Sequence, residues 1–157
     1  MKINKTSVLL LTVVLICSCM LFGPDALFRF GGAYAQDSSI SESQLLARAI
    51  NGEARGEPYE GQVAVGAVIL NRTKDPNFPK TIAGVIYQPG AFTAVDDGQI
   101  NVPIDSSSSV MKAARDAMDG FDPTDGCIYY WNPATATSSW IWSRKVLLKI
   151  GKHSFAK

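Results

Sequence analysis

Ser41-Glu42-Ser43-Gln44-Leu45-Leu46-Ala47-Arg48-Ala49-Ile50-Asn51-Gly52-Glu53, residues 41 to 53, reads as the opening of an amphipathic helix. Ser41 with Gln44 three positions later matches a capping box, in which both side chains satisfy backbone donors of the first turn. Leu45, Leu46, Ala49 and Ile50 then recur at helical spacing. If the helix runs on to Glu53, then Leu45, Ala49 and Glu53 share one face. That face is otherwise apolar, so the carboxylate on it is partly desolvated, which disfavours its charged form. A carboxylic acid that is neutral near neutral pH can protonate a leaving glycosidic oxygen. The competing reading places Glu53 just past the helix end, paired with Arg55 or Arg48. Pattern alone leaves both open.

Outward from this helix the chain alternates helix and turn, then turns to short strands. Gly56 and Pro58 break the first helix, and Pro58 suits the first turn of a second. Glu60 to Arg72 is rich in Ala, Val, Ile and Leu on nearly every side, which predicts a buried central helix. Asp75 to Pro79 reads as a turn, and Thr81 as the cap of a short helix through Ile86. Gln88 to Pro103 reads as a long loop, and unstructured loops of that length are often functional. A helix is predicted over Ser106 to Met118. Short strands are predicted at Cys127 to Trp131, Trp140 to Trp142 and Ile150 to Phe155. Helices first and strands after predict an α+β domain.

Before residue 41 the chain has a different character. Lys2 and Lys5 precede an uncharged, almost continuously apolar run from Ser7 to Gly23, and Ala33-Tyr34-Ala35 offers a small-x-small cleavage site. Residues 1–35 therefore read as a secretory signal peptide and 36–43 as a short linker, with 44–157 as the domain. An uncleaved anchor is the alternative, since the run approaches the shortest membrane span. A lipoprotein reading at Cys17 is a further alternative, poorly matched by the bulky Val14-Leu15-Ile16 ahead of it. From Gln36 onward there are 12 Lys+Arg against 13 Asp+Glu, a net charge of −1, and no basic stripe for nucleic acid. Cys127 is the one cysteine there and His153 the one histidine, so no Cys/His zinc cluster and no internal disulfide is expected. Cys127, in an apolar strand, reads as buried and inert.

Other candidates are ordinary by comparison. Glu57 and Glu60 flank a helix start, where the helix dipole favours carboxylates. Asp96, Asp97, Asp122 and Asp125 sit beside Gly or Pro in turns. His153 reads as a surface or packing residue, and no nucleophile motif accompanies it. Phe92, Tyr129, Tyr130, Trp131, Trp140 and Trp142 are of the type that lines a sugar groove, though about half should be core.

Taken together, Leu45 to Ile50 followed by Gly52-Glu53-Ala54-Arg55-Gly56-Glu57 resembles the signature of the spore cortex-lytic cell wall hydrolases, the SleB and CwlJ type. Further matches follow in order: Gly61 to Val65, Leu70-Asn71-Arg72, Gly84-Val85-Ile86 and Gln88 to Val95. Later come Tyr130 with Asn132-Pro133, Trp140 to Arg144, and Ile150 to Phe155 with an insertion at Ser154. The resemblance covers about residues 44–157. It implies a mostly helical, lysozyme-like domain of the goose-type transglycosylase kind, with Glu53 as the catalytic acid. It also implies substrate contacts from Gln88, Phe92, Thr93, Tyr130 and Trp142. The expected partner is the peptidoglycan glycan strand, with no cofactor, no metal and no nucleic acid. A monomer is expected, and a holding protein of the membrane or spore coat is left open. The implied place of action is the spore cortex, forespore envelope or cell wall, after export. SleB-type proteins usually place a peptidoglycan-binding domain between signal and catalytic domain, whereas only about ten residues lie there here. Relatives also commonly carry a Cys after the final Phe, where this chain has Ala156.

A two-carboxylate glycosidase needs its partner about 5 Å away if retaining, or up to roughly 9 Å if inverting. Glu57 is the reserve candidate. A lytic transglycosylase needs only one, because the muramoyl 6-hydroxyl attacks from within the substrate. An amidase and a non-catalytic binding module are the remaining alternatives.

Overall fold

Ser41 caps the first helix as the sequence predicts, its Oγ accepting the Gln44 N–H at 3.2 Å. The computed structural model describes residues 40–157; the apolar segment read as a signal peptide lies outside them. Helix α1 spans Glu42–Ala54 and α2 spans Tyr59–Lys74, with Pro58 at the α2 N-cap. Three short elements follow: α3 (Ile82–Ile86), α4 (Thr93–Asp96) and a 3-10 turn (Gln99–Asn101). Then come α5 (Ser109–Met118), β1 (Tyr129–Trp131), α6 (Ser139–Trp142), β2 (Leu148–Ile150) and β3 (His153–Ala156). The domain is mostly helical α+β, in agreement with the sequence.

Every residue of α2 from Gly61 to Ile69 is buried, as its all-round apolar sequence requires. α1 and α5 pack on it. The main core joins Leu46, Ile50, Val65 and Ile69 to Val85, Ile86 and Phe92. A second cluster of Ala64, Val68, Cys127, Ile150 and Phe155 fastens the sheet to the other side of α2. Cys127 is fully buried, as expected, and burial raises its thiol pKa. The sheet is antiparallel in the order β1-β3-β2, with Tyr130 opposite Phe155 and Ile150 opposite His153.

Several sequence expectations are corrected. Gln44 does not complete a capping box. Its amide instead clips the distant backbone of Ile104, donating to the carbonyl at 3.0 Å and accepting the N–H at 2.9 Å. The Gln88–Pro103 loop contains α4 and the 3-10 turn, both too short to display a period. The helix expected from Ser106 starts at Ser109, because the Ser108 hydroxyl caps it. The first strand begins at Tyr129 rather than Cys127. Trp140–Trp142 forms one helical turn rather than a strand, with Ile141 inward and both Trp side chains outward. A three-residue alternation fits a single turn as well as a strand. Ile150–Phe155 is a hairpin, reversed at Gly151 with φ +58°. A side chain at Gly151 would be strained there and would overlap Glu57.

Candidate active site

Glu53 projects from the last turn of α1 and is half-buried, so the apolar face of the helix carries it to the edge of the core. Its Oε1 accepts two hydrogen bonds, from the Thr93 hydroxyl at 2.9 Å and from the Ala94 N–H at 3.1 Å. Its Oε2 accepts the Tyr130 hydroxyl at 3.2 Å. The arginines that offered an alternative pairing are engaged elsewhere: Arg55 donates to the Gln99 side chain and Arg48 to the Ile100 carbonyl. Three elements from separate parts of the chain thus converge on one carboxylate.

Burial shifts the titration of two groups beside Glu53. Burial first, and the Glu53 charge second, push the Tyr130 hydroxyl well above its ordinary pKa of 10. Tyr130 therefore stays protonated and donates. Burial lowers the pKa of His153, opposed in part by the charges of Glu57 and Glu53. The imidazole is buried, packs edge-on to Tyr130 with ring centroids 5.2 Å apart, and its Nδ1 finds no partner among the described residues.

Glu53 lies in a cleft of two contiguous chambers. The inner chamber, about 360 Å³, is lined by Glu53, Thr93, Tyr130, Asn132 and His153 among others. The outer, about 540 Å³, is lined by Gln88, Phe78, Tyr129 and Trp140 among others. Arg72, Gly90, Ala91, Tyr130, Trp131 and Thr135 line both. Arg72 comes from α2 beneath the cleft, where its Nε donates to the Ile128 carbonyl at 2.7 Å and its guanidinium lies 5.2 Å from the Phe78 ring centre. In the outer chamber Tyr129 meets Trp140 edge-on at 5.1 Å, and Arg144 covers both rings at 4.8 and 4.4 Å. Such a wall offers apolar ring faces beside polar edges, the surface a pyranose stacks on.

Of the substrate-contact candidates, Thr93 and Tyr130 bond Glu53 directly and Gln88 lines the outer chamber. Phe92 is corrected to a core residue: it is 2% exposed, sits at the α4 N-cap and packs among Ile86, Val85 and Ala49 in the main cluster. Trp142 is exposed but lines neither chamber; its neighbour Trp140 takes the wall position. Glu57 lines neither chamber, its Oε2 accepting the Lys152 N–H at 2.8 Å. Among the described residues, Glu53 is thus the one carboxylate lining the two chambers. Arg72, His153 and the Ala94 N–H were not read as site groups from sequence. A backbone donor leaves no residue-type signal, while Arg72 and His153 stood inside motifs whose roles the residues alone do not reveal. Among the described residues no three His, Cys, Asp or Glu side chains gather to hold a metal ion.

Comparison with known proteins follows the same lines. The family model described as Cell Wall Hydrolase matches residues 56–156, beginning three positions after Glu53. The chain is 56% identical over 119 residues to the spore cortex-lytic enzyme of Bacillus cereus, covering 76% of this chain and 45% of that protein. It thus spans less than half the length of that relative. The crystal structure of the catalytic domain of the Bacillus cereus SleB protein matches with a TM-score of 0.70 at 56% identity, over 74% of this chain and 89% of that one. The catalytic domain of the germination-specific lytic transglycosylase SleB from Bacillus anthracis matches with a TM-score of 0.71 at 53% identity, over 76% and 98%.

Proposed function

The chain belongs to the cell wall hydrolase family, and from that premise we propose that it cuts peptidoglycan glycan strands between muramic acid and N-acetylglucosamine as a lytic transglycosylase. Spore cortex is the proposed substrate and germination the proposed occasion, after export. The observation that carries the reading is a cleft with one carboxylate among the described residues, gripped by three donors at the foot of an aromatic wall.

Glu53 is the proposed acid. It gives its proton to the glycosidic oxygen as the C1–O bond breaks, leaving a free hydroxyl on the departing sugar. The muramoyl 6-hydroxyl closes onto C1, and Glu53 recovers a proton from it. The product is a 1,6-anhydromuramoyl end, and no water is consumed. The nucleophile is part of the substrate, so holding the sugar replaces a second carboxylate. Thr93 and Ala94 hold Oε1, and Oε2 beside Tyr130 is the atom proposed to exchange the proton. Gln88 and Trp140 are the proposed contacts to sugars farther along the strand.

The test is digestion of cortex and vegetative peptidoglycan by the parent and by Glu53→Gln, with products identified by mass spectrometry. Anhydromuramoyl ends from the parent and none from Glu53→Gln are expected. Reducing-end muramic acid alone would replace transglycosylation by hydrolysis, and released peptides would mean that another bond is cut.

A further inference from the structure

Gly52 sits inside α1, one position before the proposed acid, at a place where glycine is costly. In a helix interior glycine is about 1 kcal/mol less favourable than alanine. The Gly52 backbone does not require it, because the glycines with positive φ are Gly90, Gly98, Gly120, Gly126 and Gly151. What requires it is space. A Cβ built on Gly52 would overlap the Cβ of Ala94 and lie 3.3 Å from its Cα. Ala94 is itself fully buried. The α4 backbone therefore rests close on the α1 backbone, with only the Ala94 methyl between them.

This contact sits beside the hydrogen bonds that hold the carboxylate. Ala94 is the residue whose N–H reaches Glu53 Oε1 at 3.1 Å, and its neighbour Thr93 supplies the second donor at 2.9 Å. Any side chain at position 52 moves α4 outward, and both donors leave Oε1 with it. Tyr130, on β1, would be left holding Oε2 alone.

We infer that Gly52 is a positioning residue for Glu53: its close approach to Ala94 sets the depth at which α4 clamps Oε1, and so the direction in which the acid faces the sugar. The inference rests on Glu53 being the acid. It extends to position 94, where alanine is the largest side chain the contact accepts.

The experiment compares parent, Gly52→Ala, Gly52→Ala/Ala94→Gly, and each of these with Thr93→Val, in one anhydromuramoyl-release assay with Glu53→Gln as reference. Gly52→Ala should lower kcat by on the order of 100-fold, the penalty of a misplacement near 1 Å, with KM little changed and far-UV circular dichroism like the parent's. Removing the added bulk with Ala94→Gly should restore most of the lost kcat. Thr93→Val should cost little more in Gly52→Ala, where the clamp is already open, and its full factor in the restored double variant. A mere packing defect would not cancel the Thr93 effect in this way. Gly52→Ala with parental kcat overturns the inference, and so does a folded double variant that stays inactive. If Gly52→Ala does not fold, the double variant decides: a kcat within about tenfold of the parent's, with a full Thr93→Val effect, supports the inference, and a greater loss or a missing Thr93→Val effect overturns it. Full activity in Glu53→Gln would instead overturn the acid assignment, a different failure visible in the same assay.

Discussion

The two walls of the cleft are built by different rules. The helical wall, residues 41–118, presents Glu53 from a helix packed into the main core, where Leu46, Ala49 and Ile50 are fully buried. The strand wall, residues 127–157, presents Tyr129, Trp140 and Arg144 from a three-stranded sheet and one helical turn, with Trp140, Trp142, Val146 and Leu147 exposed. Glu53 is held beside backbone packed at close quarters, while the Tyr129–Trp140 surface is held by a few stacked side chains. The difference teaches that the fold constrains the orientation of Glu53, the proposed proton donor, more closely than it constrains the proposed sugar-contact surface.

The contrast should be plainest in stability. Leu46→Ala is expected to cost about 2–5 kcal/mol of unfolding free energy, and Trp142→Ala no more than about 0.5 kcal/mol. Denaturant melts of the two would break the comparison if they came out equal. Next comes the one bond that joins the walls at the acid. Tyr130→Phe removes the donor to Oε2 and should lower kcat about 10- to 100-fold, the worth of a hydrogen bond to a charged group. Steady-state kinetics with unchanged kcat would mean that the strand wall takes no part in orienting Glu53. Smaller again, Trp140→Ala should raise KM for glycan roughly two- to tenfold at nearly constant kcat, as befits a single stacking surface. A fall in kcat alone would place Trp140 with the acid rather than with the strand.

The smallest effect is one of pH. Burial holds the His153 imidazole below its ordinary pKa of 6.5. The unfolded chain then binds a proton that the folded chain refuses, so stability falls as pH drops through about 6.5 toward the native value, and this contribution is flat above that. His153→Phe should remove that slope in thermal melts. Asp122 acts in a separate range. Burial opposes its ionisation, but bonds from Thr124, Asn71 and Gly126 hold its carboxyl below 3.8, so its contribution is lost only in stronger acid.

What the sequence disclosed follows the same division. The helical wall was legible because its elements are long enough to show a period and a cap: Ser41, the apolar run of α2 and Thr81 all mark real boundaries. Glu53 stood out because it is a carboxylate on an apolar face. Phe92 was misplaced because a lone aromatic between a glycine-rich turn and a four-residue helix carries no information about which way it faces. The Trp140–Trp142 turn and the hairpin at Gly151 were obscured because three or four residues satisfy the strand and turn patterns equally. His153 was passed over as a lone histidine. Its place beside Tyr130 arises from strand register, which pairs Tyr130 with Phe155 across β1 and β3. The donors on Oε1 depend on the approach of residues 52 and 94, and separation of that kind is a tertiary fact with no local trace.

The strand order β1-β3-β2 has a consequence in time. The central strand, residues 153–156, is made after both its neighbours, and among the described residues each of them pairs only with it. A chain still emerging from the ribosome can close its helices around their own core, since those contacts are made within residues 41–118. It cannot raise the opposing wall, because Tyr129 and Tyr130 have nothing to pair with until His153 to Ala156 arrive. A cleft assembled in this order stays without its second wall until those residues arrive.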